Sequence, residues 1–249
     1  MPEANCTVCG GTGWKIVERG GLSGAQQCEC VPARRARDLK ENADIPPNYE
    51  HATLESFAMP QDNPTAQRAL SDVLLKVKGF ARDFPAVSPP GLLLMGDPGT
   101  GKTHLAIGIM KMLLERGHDC VFFDYQNLLD RIRKGWDAAS GASDREAYGK
   151  ALDAEVLILD DLGARRVTDW VEDTVAAIIT HRCNNLKPLI ATTNLHVKEG
   201  RNDDKTLYPR TLAESIGMRA QSRLFEMCTV VEFGGVDDYR VKRARYFAV

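Results

Sequence analysis

The chain has 249 residues, a formal net charge of -2 and seven cysteines. This length accommodates one α/β core and a small additional module. The nearly neutral charge gives no overall basic field, so any contact with nucleic acid must come from a local patch. No apolar run reaches the roughly 20 residues of a membrane-spanning helix, and the first residues lack a secretory pattern. We therefore expect a cytoplasmic protein with no membrane partner, whose cysteines are thiols or metal ligands.

Four cysteines stand close together near the N-terminus, as a C-x-x-C pair followed by a C-x-C pair. They are Cys6, Cys9, Cys28 and Cys30. Four thiolates can hold Zn²⁺ in a closed tetrahedral site, which is structural rather than catalytic. We expect Trp14 to pack over this site. Metal binding would supply most of the folding free energy of so short a segment, on the order of 10 kcal/mol. The alternative is a flexible tail of reduced cysteines.

A basic segment follows the cysteines, and two prolines end it. The sequence of Val31–Lys40 predicts a helix. Its arginines would contact phosphate groups or an acidic partner, or would only face solvent. Pro46 and Pro47 then interrupt the chain. The sequence therefore predicts two units, a zinc-binding and partner-binding module over residues 1–44 and a main domain over residues 45–249.

The main domain is predicted to begin with an amphipathic helix over Ala66–Phe84, followed by an apolar strand that starts at Gly91. The strand runs directly into the P-loop motif G-x-x-x-x-G-K-[ST]. The motif consists of Gly96, Asp97, Pro98, Gly99, Thr100, Gly101, Lys102 and Thr103, and His104 comes next.

The P-loop residue types are those that bind a nucleoside triphosphate. Backbone N–H groups of the glycine-rich turn surround the phosphates, Lys102 reaches the β- and γ-phosphates, and the Thr103 hydroxyl binds Mg²⁺. The helix that follows directs its positive N-terminus at the same phosphates. A glycine-rich turn that matches the motif by chance is disfavoured, because an apolar strand precedes it and an amphipathic helix follows. The sequence therefore predicts ATP and Mg²⁺ as cofactors.

Strands and helices alternate through the rest of the domain. The predicted elements are a strand at Cys120–Asp124, a helix at Leu128–Lys134, a charged helix at Ser143–Leu152, a strand at Val156–Asp161 and a strand at Pro188–Asn194. This alternation predicts a parallel sheet covered by helices on both faces.

Two of these strands end in polar side chains that complete an ATPase site. Asp160 and Asp161 end an apolar strand, as in a Walker B motif. Asp160 would hold the Mg²⁺ bound by Thr103, and Asp161 would deprotonate the attacking water. Asn194 would hydrogen-bond the γ-phosphate or the water, its alternative being an ordinary turn-forming asparagine. The extra strand after Walker B is typical of ATPases with an inserted central strand and argues against a small-molecule kinase.

Taken together, these residues resemble the AAA+ replicative helicase loaders of the DnaC/DnaI type, and the IstB transposition ATPases are similar. The resemblance covers the chain from Ile45 onward. It rests on Ile45–Tyr49, Gly96–His104, Val156–Gly163, Thr168–Trp170, Thr192–Asn194 and the arginine-rich helix Leu212–Leu224. It implies a P-loop AAA+ (ASCE) fold with a five-stranded parallel sheet, flanking helices, no full helical lid and a small N-terminal zinc-binding module.

The resemblance also implies roles for three arginines. Arg223 matches the arginine finger, which points into the ATP site of the neighbouring subunit, and Arg219, one helical turn earlier, assists it. Arg240, in Asp-Tyr-Arg, matches the sensor-2 arginine that contacts the phosphates within the same chain. Ordinary solvated surface positions are the alternative for all three residues.

The function implied by the resemblance is an ATPase that self-associates through its ATP site, binds single-stranded DNA and delivers a replicative helicase. In initiator-type ATPases the element after the second strand lines the central channel. Here that element is Tyr125–Tyr148, with Arg131, Arg133, Lys134 and Trp136 available for phosphate contacts and base stacking. Two alternatives are an IstB-like transposition helper ATPase and a small-molecule kinase that acts as a monomer.

Overall fold

The structure is a computed structural model that describes residues 4–135, 142–197 and 210–241. Within these ranges, no helix has both the length and the apolar character needed to cross a membrane.

The N-terminal part consists of a hairpin and a helix. Strands β1 (Trp14–Arg19) and β2 (Leu22–Gln27) pair antiparallel, with Trp14 opposite Gln27. Helix α1 (Cys30–Glu41) follows directly and accounts for the predicted basic helix. One turn of 3-10 helix at Pro47–Tyr49 then marks the position of the two prolines.

The main domain alternates strands and helices as predicted. In chain order its elements are α2 (Pro64–Asp83), β3 (Gly91–Gly96), α3 (Lys102–Glu115), β4 (Cys120–Asp124), α4 (Tyr125–Gly135), α5 (Ala142–Asp153), β5 (Val156–Asp160), α6 (Asp169–Asn184), β6 (Leu189–Thr193), α7 (Leu212–Ile216), α8 (Met218–Met227) and β7 (Cys228–Phe233).

Five of these strands form one parallel sheet in the order β4-β5-β6-β3-β7. The P-loop strand β3 is fully buried, and its side chains alternate between two cores. Leu93 and Met95 belong to one core and Leu92 and Leu94 to the other, because successive side chains of a strand point to opposite faces. Strand β6 lies between the P-loop strand and the Walker B strand β5. The prediction of a five-stranded parallel sheet covered on both faces is confirmed.

The arginine-rich segment forms two helices where the sequence predicts one. Gly217 separates α7 from α8, with φ 83° and ψ 148°. A Cβ at this position would lie 2.3 Å from Oε1 of Glu172 on α6. The chain therefore turns at Gly217 because this positive φ favours glycine, and the side chain of Glu172 packs against the turn.

The end of the predicted N-terminal module lies against the main domain. Helix α1 contacts α3, and Leu39 packs against the core beneath the sheet. Ala43 is fully buried, and its carbonyl accepts a hydrogen bond of 3.0 Å from the backbone N–H of Phe122 on the edge strand β4. The boundary between residues 44 and 45 stays a prediction, but the two sides of it are in contact.

Candidate active site

The P-loop occupies the turn between β3 and α3. Gly99 has φ 75°, and a Cβ there would lie only 1.9 Å from Oδ1 of Asp238, so the loop requires glycine at this point. The Nζ of Lys102 donates hydrogen bonds of 2.7 Å to the carbonyls of Gly96 and Asp97. The lysine is therefore held at the centre of the loop, where phosphates are expected to bind.

Burial shifts the protonation of this lysine. Desolvation lowers the pKa of Lys102 from 10.5 to about 8, although the carboxylates of Asp161, Asp160 and Asp97 act to raise it. The charge of Arg240 lowers it further. A phosphate group next to Lys102 would add negative charge to that of the three carboxylates, and it would therefore raise the pKa of the lysine.

Thr103 and Asp160 are brought together as the sequence predicts. The Thr103 hydroxyl donates to Oδ1 of Asp160 at 2.8 Å, and the Thr192 hydroxyl donates to the same oxygen at 2.6 Å. Burial raises the pKa of Asp160, and these two hydrogen bonds oppose the rise. The Thr103 and Asp160 oxygens fit neighbouring ligand positions of an octahedral Mg²⁺, which are ~3.0 Å apart when Mg–O is about 2.1 Å.

Asp161 and Asn194 also meet at this edge of the sheet. The Nδ2 of Asn194 donates to Oδ1 of Asp161 at 2.6 Å, and the Asp161 backbone N–H donates to Oγ1 of Thr192 at 2.9 Å. Asp161 has φ 59°, an uncommon conformation for a residue other than glycine, and such strain often occurs at functional sites. Burial, followed by the charge of Asp124, raises the pKa of Asp161. Its carboxylate is thus oriented and more basic than usual.

The segment that carries Arg240 lies beside the P-loop. The backbone N–H of Tyr239 donates to the carbonyl of Gly99 at 3.1 Å. Asp238 contacts the same glycine, and its Oδ1 lies 3.4 Å from Nε of Arg240. Sequence reasoning assigned no role to Asp238, because nothing in the motif Asp-Asp-Tyr-Arg shows that its carboxylate meets the P-loop.

Arg219 and Arg223 lie on α8, which runs away from the P-loop. Helix α8 ends where β7 begins, and Cys228 at that point pairs with Gly91, the first residue of β3. Arg223 is therefore about one helical turn from the amino ends of the sheet strands, which lie opposite the P-loop. Both arginines are exposed, and Arg223 donates to Oε2 of Glu226 at 2.7 Å.

The remaining P-loop residues take supporting positions. The hydroxyl of Thr100 donates to the carbonyl of Asp97 at 2.9 Å, across Pro98. The Asp97 carboxylate lies 3.6 Å from Nε2 of His196, on the loop after Asn194. His104 lies in the first turn of α3, and its Nε2 contacts the carbonyl of Thr53 at 2.8 Å.

The four N-terminal cysteines form one cluster. Their Sγ atoms all lie within 4.8 Å of one another, with Cys6 and Cys28 3.8 Å apart and Cys9 and Cys30 3.5 Å apart. Four ligands of a tetrahedral Zn²⁺ with Zn–S of about 2.3 Å lie ~3.8 Å apart, so the cluster fits this metal. Desolvation acts to raise the pKa of Cys9, but hydrogen bonds from the Gly13 N–H and from the Cys30 and Cys6 thiols lower it to about 6.

The expectation that Trp14 packs over the cysteines is wrong. Its side chain is 58% exposed, and that of Ile16 is 81% exposed. Residues two apart in a strand share one face, and both side chains lie on a face of the hairpin that no described element covers. The hairpin is too small to bury both of its faces.

The predicted DNA-facing segment includes α4. The guanidinium of Arg131 lies 5.5 Å from the ring centroid of Phe123, and that of Arg133 lies 6.0 Å from the ring centroid of Trp170. Lys134 is exposed, and Trp136 lies outside the described residues. The two arginines are therefore held on aromatic rings, and their contact with DNA stays a prediction.

Comparisons with known proteins place this geometry among ATP-binding proteins. Residues 27–246 match the family described as IstB-like ATP binding protein. The uncharacterized protein YqaM of Bacillus subtilis is 27% identical over 192 residues, which are 75% of this chain and 59% of YqaM. Rv3427c of Mycobacterium tuberculosis, a putative ATP-binding protein in an insertion sequence, is 30% identical over 156 residues, which are 62% of this chain and 60% of that protein. The match thus spans about three fifths of each relative.

A solved structure has a similar fold. The crystal structure of the DnaC helicase loader superimposes with a TM-score of 0.61 at 30% identity, covering 75% of this chain and 99% of that chain.

Proposed function

Because this chain belongs to the IstB-like ATP-binding protein family and is homologous to the DnaC helicase loader, we propose that it hydrolyses ATP at a site completed by a second copy. The P-loop backbone and Lys102 would bind the phosphates, and Arg240 would contact them from the same chain. Thr103 and Asp160 would hold Mg²⁺, which when bound neutralises phosphate charge.

The chain supplies a base for hydrolysis. Asp161, oriented by Asn194, would accept a proton from the attacking water. The water oxygen then forms a bond to the γ-phosphorus, and the bond from this phosphorus to the bridging oxygen breaks to release ADP.

One observation supports the second copy more than any other. The catalytic groups meet at the carboxyl ends of the strands, where β3 ends. Arg223 lies towards the amino ends of the strands, where β3 begins. An arginine finger in trans stabilises transition-state charge and contributes about 10³–10⁵ in rate. This position supports a role for Arg223 at the nucleotide of a neighbouring copy rather than at its own.

A mixing experiment tests this arrangement. Arg223→Ala keeps its P-loop but lacks the finger, and Lys102→Ala keeps the finger but lacks the P-loop lysine. We expect each variant alone to hydrolyse ATP at least ~10-fold more slowly than wild type. An equimolar mixture should recover part of the activity, because the Lys102→Ala copy supplies Arg223 to the intact P-loop of its neighbour.

Two further measurements complete the test. Wild-type turnover per chain should rise with protein concentration, and the exposed Arg68→Ala on α2 should behave as wild type. A mixture no more active than its components would contradict a finger in trans. Turnover that needs an added phosphate acceptor would instead indicate a kinase.

The partners proposed for this ATPase are single-stranded DNA and a replicative helicase. Homology to the DnaC helicase loader supports both, and the cysteine cluster of residues 1–44, with Zn²⁺ bound, provides a rigid module for the helicase. Fluorescence anisotropy at low salt should show ATP-dependent binding of single-stranded oligonucleotides. A full-length pulldown should recover the helicase and lose it when Cys28 is replaced by serine.

A second candidate is a helper ATPase of an insertion sequence. The similarity to Rv3427c favours it, because that relative is described as an insertion-sequence protein. Such a helper would prefer duplex DNA and would not bind the helicase. Equal or stronger binding of duplex DNA would therefore favour this candidate, and absence of binding to either form would contradict both.

A further inference from the structure

We propose that His104 is a positioning residue for nucleotide binding, which fixes a docking segment, residues 49–57, against the P-loop. This inference rests on the proposed binding of ATP. His104 follows Thr103 directly in the first turn of α3, but its imidazole contacts the docking segment.

The contacts of the imidazole define its orientation. Its Nε2 lies 2.8 Å from the carbonyl oxygen of Thr53 and 3.3 Å from Oγ of Ser56. Because a carbonyl only accepts, Nε2 carries the proton and donates to Thr53. The ring also meets Phe57 edge to face, with centroids 5.6 Å apart. His104 thus holds three residues of the docking segment at once.

The docking segment presents a preformed turn to His104. The backbone N–H of Thr53 donates to Oγ of Ser56 at 2.9 Å, and the backbone N–H of Ser56 donates to Oγ1 of Thr53 at 3.0 Å. These reciprocal hydrogen bonds fix the Thr53 carbonyl in place. A single donor from α3 is therefore enough to anchor the turn.

Helix α3 carries two further docking positions on the same face. A Cβ at Gly108 would lie 2.6 Å from Cδ2 of Leu54, so glycine makes room for this buried leucine. The Nζ of Lys111 donates to the carbonyls of Tyr49 and Glu50 at 2.9 and 2.5 Å. His104, Gly108 and Lys111 are spaced by four and three residues and so share one face of the helix.

The docking segment ends on the P-loop itself. A Cβ at Gly101 would lie 2.5 Å from Cε2 of Phe57, which means that the phenyl ring lies directly against this glycine. Gly101 has φ 97° and precedes Lys102. Through Phe57, His104 restricts the loop whose N–H groups bind phosphate. Such preorganisation strengthens binding because less freedom is lost when the ligand binds.

The experiment compares three variants with wild type in titrations with a fluorescent ADP analogue. We expect His104→Ala to weaken binding about 5-fold, the effect of one lost hydrogen bond. His104→Gln, which keeps a donor, should remain within about 2-fold of wild type. Lys76→Met is the control, because it changes an exposed lysine of α2 outside the docking segment and the P-loop, and it should also remain within about 2-fold.

Hydrogen exchange without nucleotide provides an independent readout. In His104→Ala the amides of residues 53–57 should exchange faster, while those of β3 should not change. Unchanged ADP affinity in His104→Ala would overturn this inference alone. Equal weakening in His104→Ala and Lys76→Met would also overturn it, because it would indicate an effect unrelated to the docking segment. A wild-type protein that binds no nucleotide would remove the proposed function as well.

Discussion

Lys102 shows at the scale of one residue how burial and binding are linked. Only 6% of its surface is exposed, and burial holds its pKa at about 8. Its hydrogen-bond acceptors are uncharged, two carbonyls and the Thr100 hydroxyl, and the carboxylates of Asp160 and Asp161 lie within electrostatic range. A triphosphate would raise the pKa, so nucleotide binding and protonation of this lysine favour each other.

Nucleotide affinity should therefore decrease at alkaline pH. The protonated lysine binds phosphate, and its pKa is higher in the complex than in the free protein. Between the two pKa values the dissociation constant should rise up to ~10-fold per pH unit, beginning near pH 8. Titration with a fluorescent ADP analogue at several pH values measures this slope. Lys102→Arg, which stays protonated, should bind more weakly but show no such rise, and equal slopes would contradict the linkage.

Arg182 is a residue whose importance the sequence does not reveal. Its side chain is fully buried, and the guanidinium donates to five backbone carbonyls, those of Ala151, Leu152, Ala154, Glu155 and Pro188. These carbonyls belong to the end of α5 and to the residues just before β5 and β6. An arginine in a helix usually predicts a solvated surface, and only the tertiary fold shows that this one joins three elements.

Replacement of Arg182 should strongly destabilise the domain. Arg182→Ala leaves buried carbonyls without donors, each of which costs about 1–3 kcal/mol, so we expect a loss of at least ~3 kcal/mol in the free energy of unfolding. Urea denaturation followed by circular dichroism measures it. The exposed Arg166→Ala should change stability by less than about 0.5 kcal/mol. A similar small effect for Arg182→Ala would show that water replaces the guanidinium.

At the scale of elements, the sequence predicts best what is encoded locally. The P-loop and the pair Asp160 and Asp161 follow from motifs whose residue types and spacing carry the chemistry. The hydroxyl of Thr192 on Asp160 and the contact of Asp238 with Gly99 depend on elements distant in sequence. No local pattern specifies such contacts, and for the same reason the break between α7 and α8 was not predicted.

The hairpin and α1 present the same contrast. The spacing of the cysteines predicts a cluster, and the four Sγ atoms do converge. The exposure of Trp14 was not predicted, because a two-stranded sheet offers no second layer to cover it. A segment with so few buried side chains depends on cross-links between its strands and helix.

Metal content tests the role of this cluster. Purified full-length protein should contain about one Zn²⁺ per chain, measured by mass spectrometry of the metal. Cys28→Ser should lose the metal and speed hydrogen exchange in β1 and β2. Cys120→Ala, which changes a buried cysteine of β4 outside the cluster, should retain it. Full occupancy in Cys28→Ser, or none in wild type, would contradict a zinc site.

At the scale of the whole molecule, the order of the strands determines which groups can meet. The ends of β3, β5 and β6 bring together Lys102, Asp160 and Asn194 from segments far apart in sequence. The parallel pairing of β7 with β3 places the end of α8 at the amino ends of the strands, opposite the P-loop. One chain therefore presents a nucleotide site on one side and a candidate finger towards the other, which is the geometry that head-to-tail assembly requires.

The hydrogen bond between Phe122 and Ala43 has a consequence for solubility. Strand β4 is an outer strand, and the unpaired N–H and C=O groups of such strands attract other chains. The chain at Ala43 covers part of this strand. We expect a protein lacking residues 1–44 to aggregate, as measured by light scattering, whereas one lacking only residues 1–27 retains α1 and should stay dispersed. The stretch between the hairpin and the main domain would then serve as a shield against unwanted strand pairing.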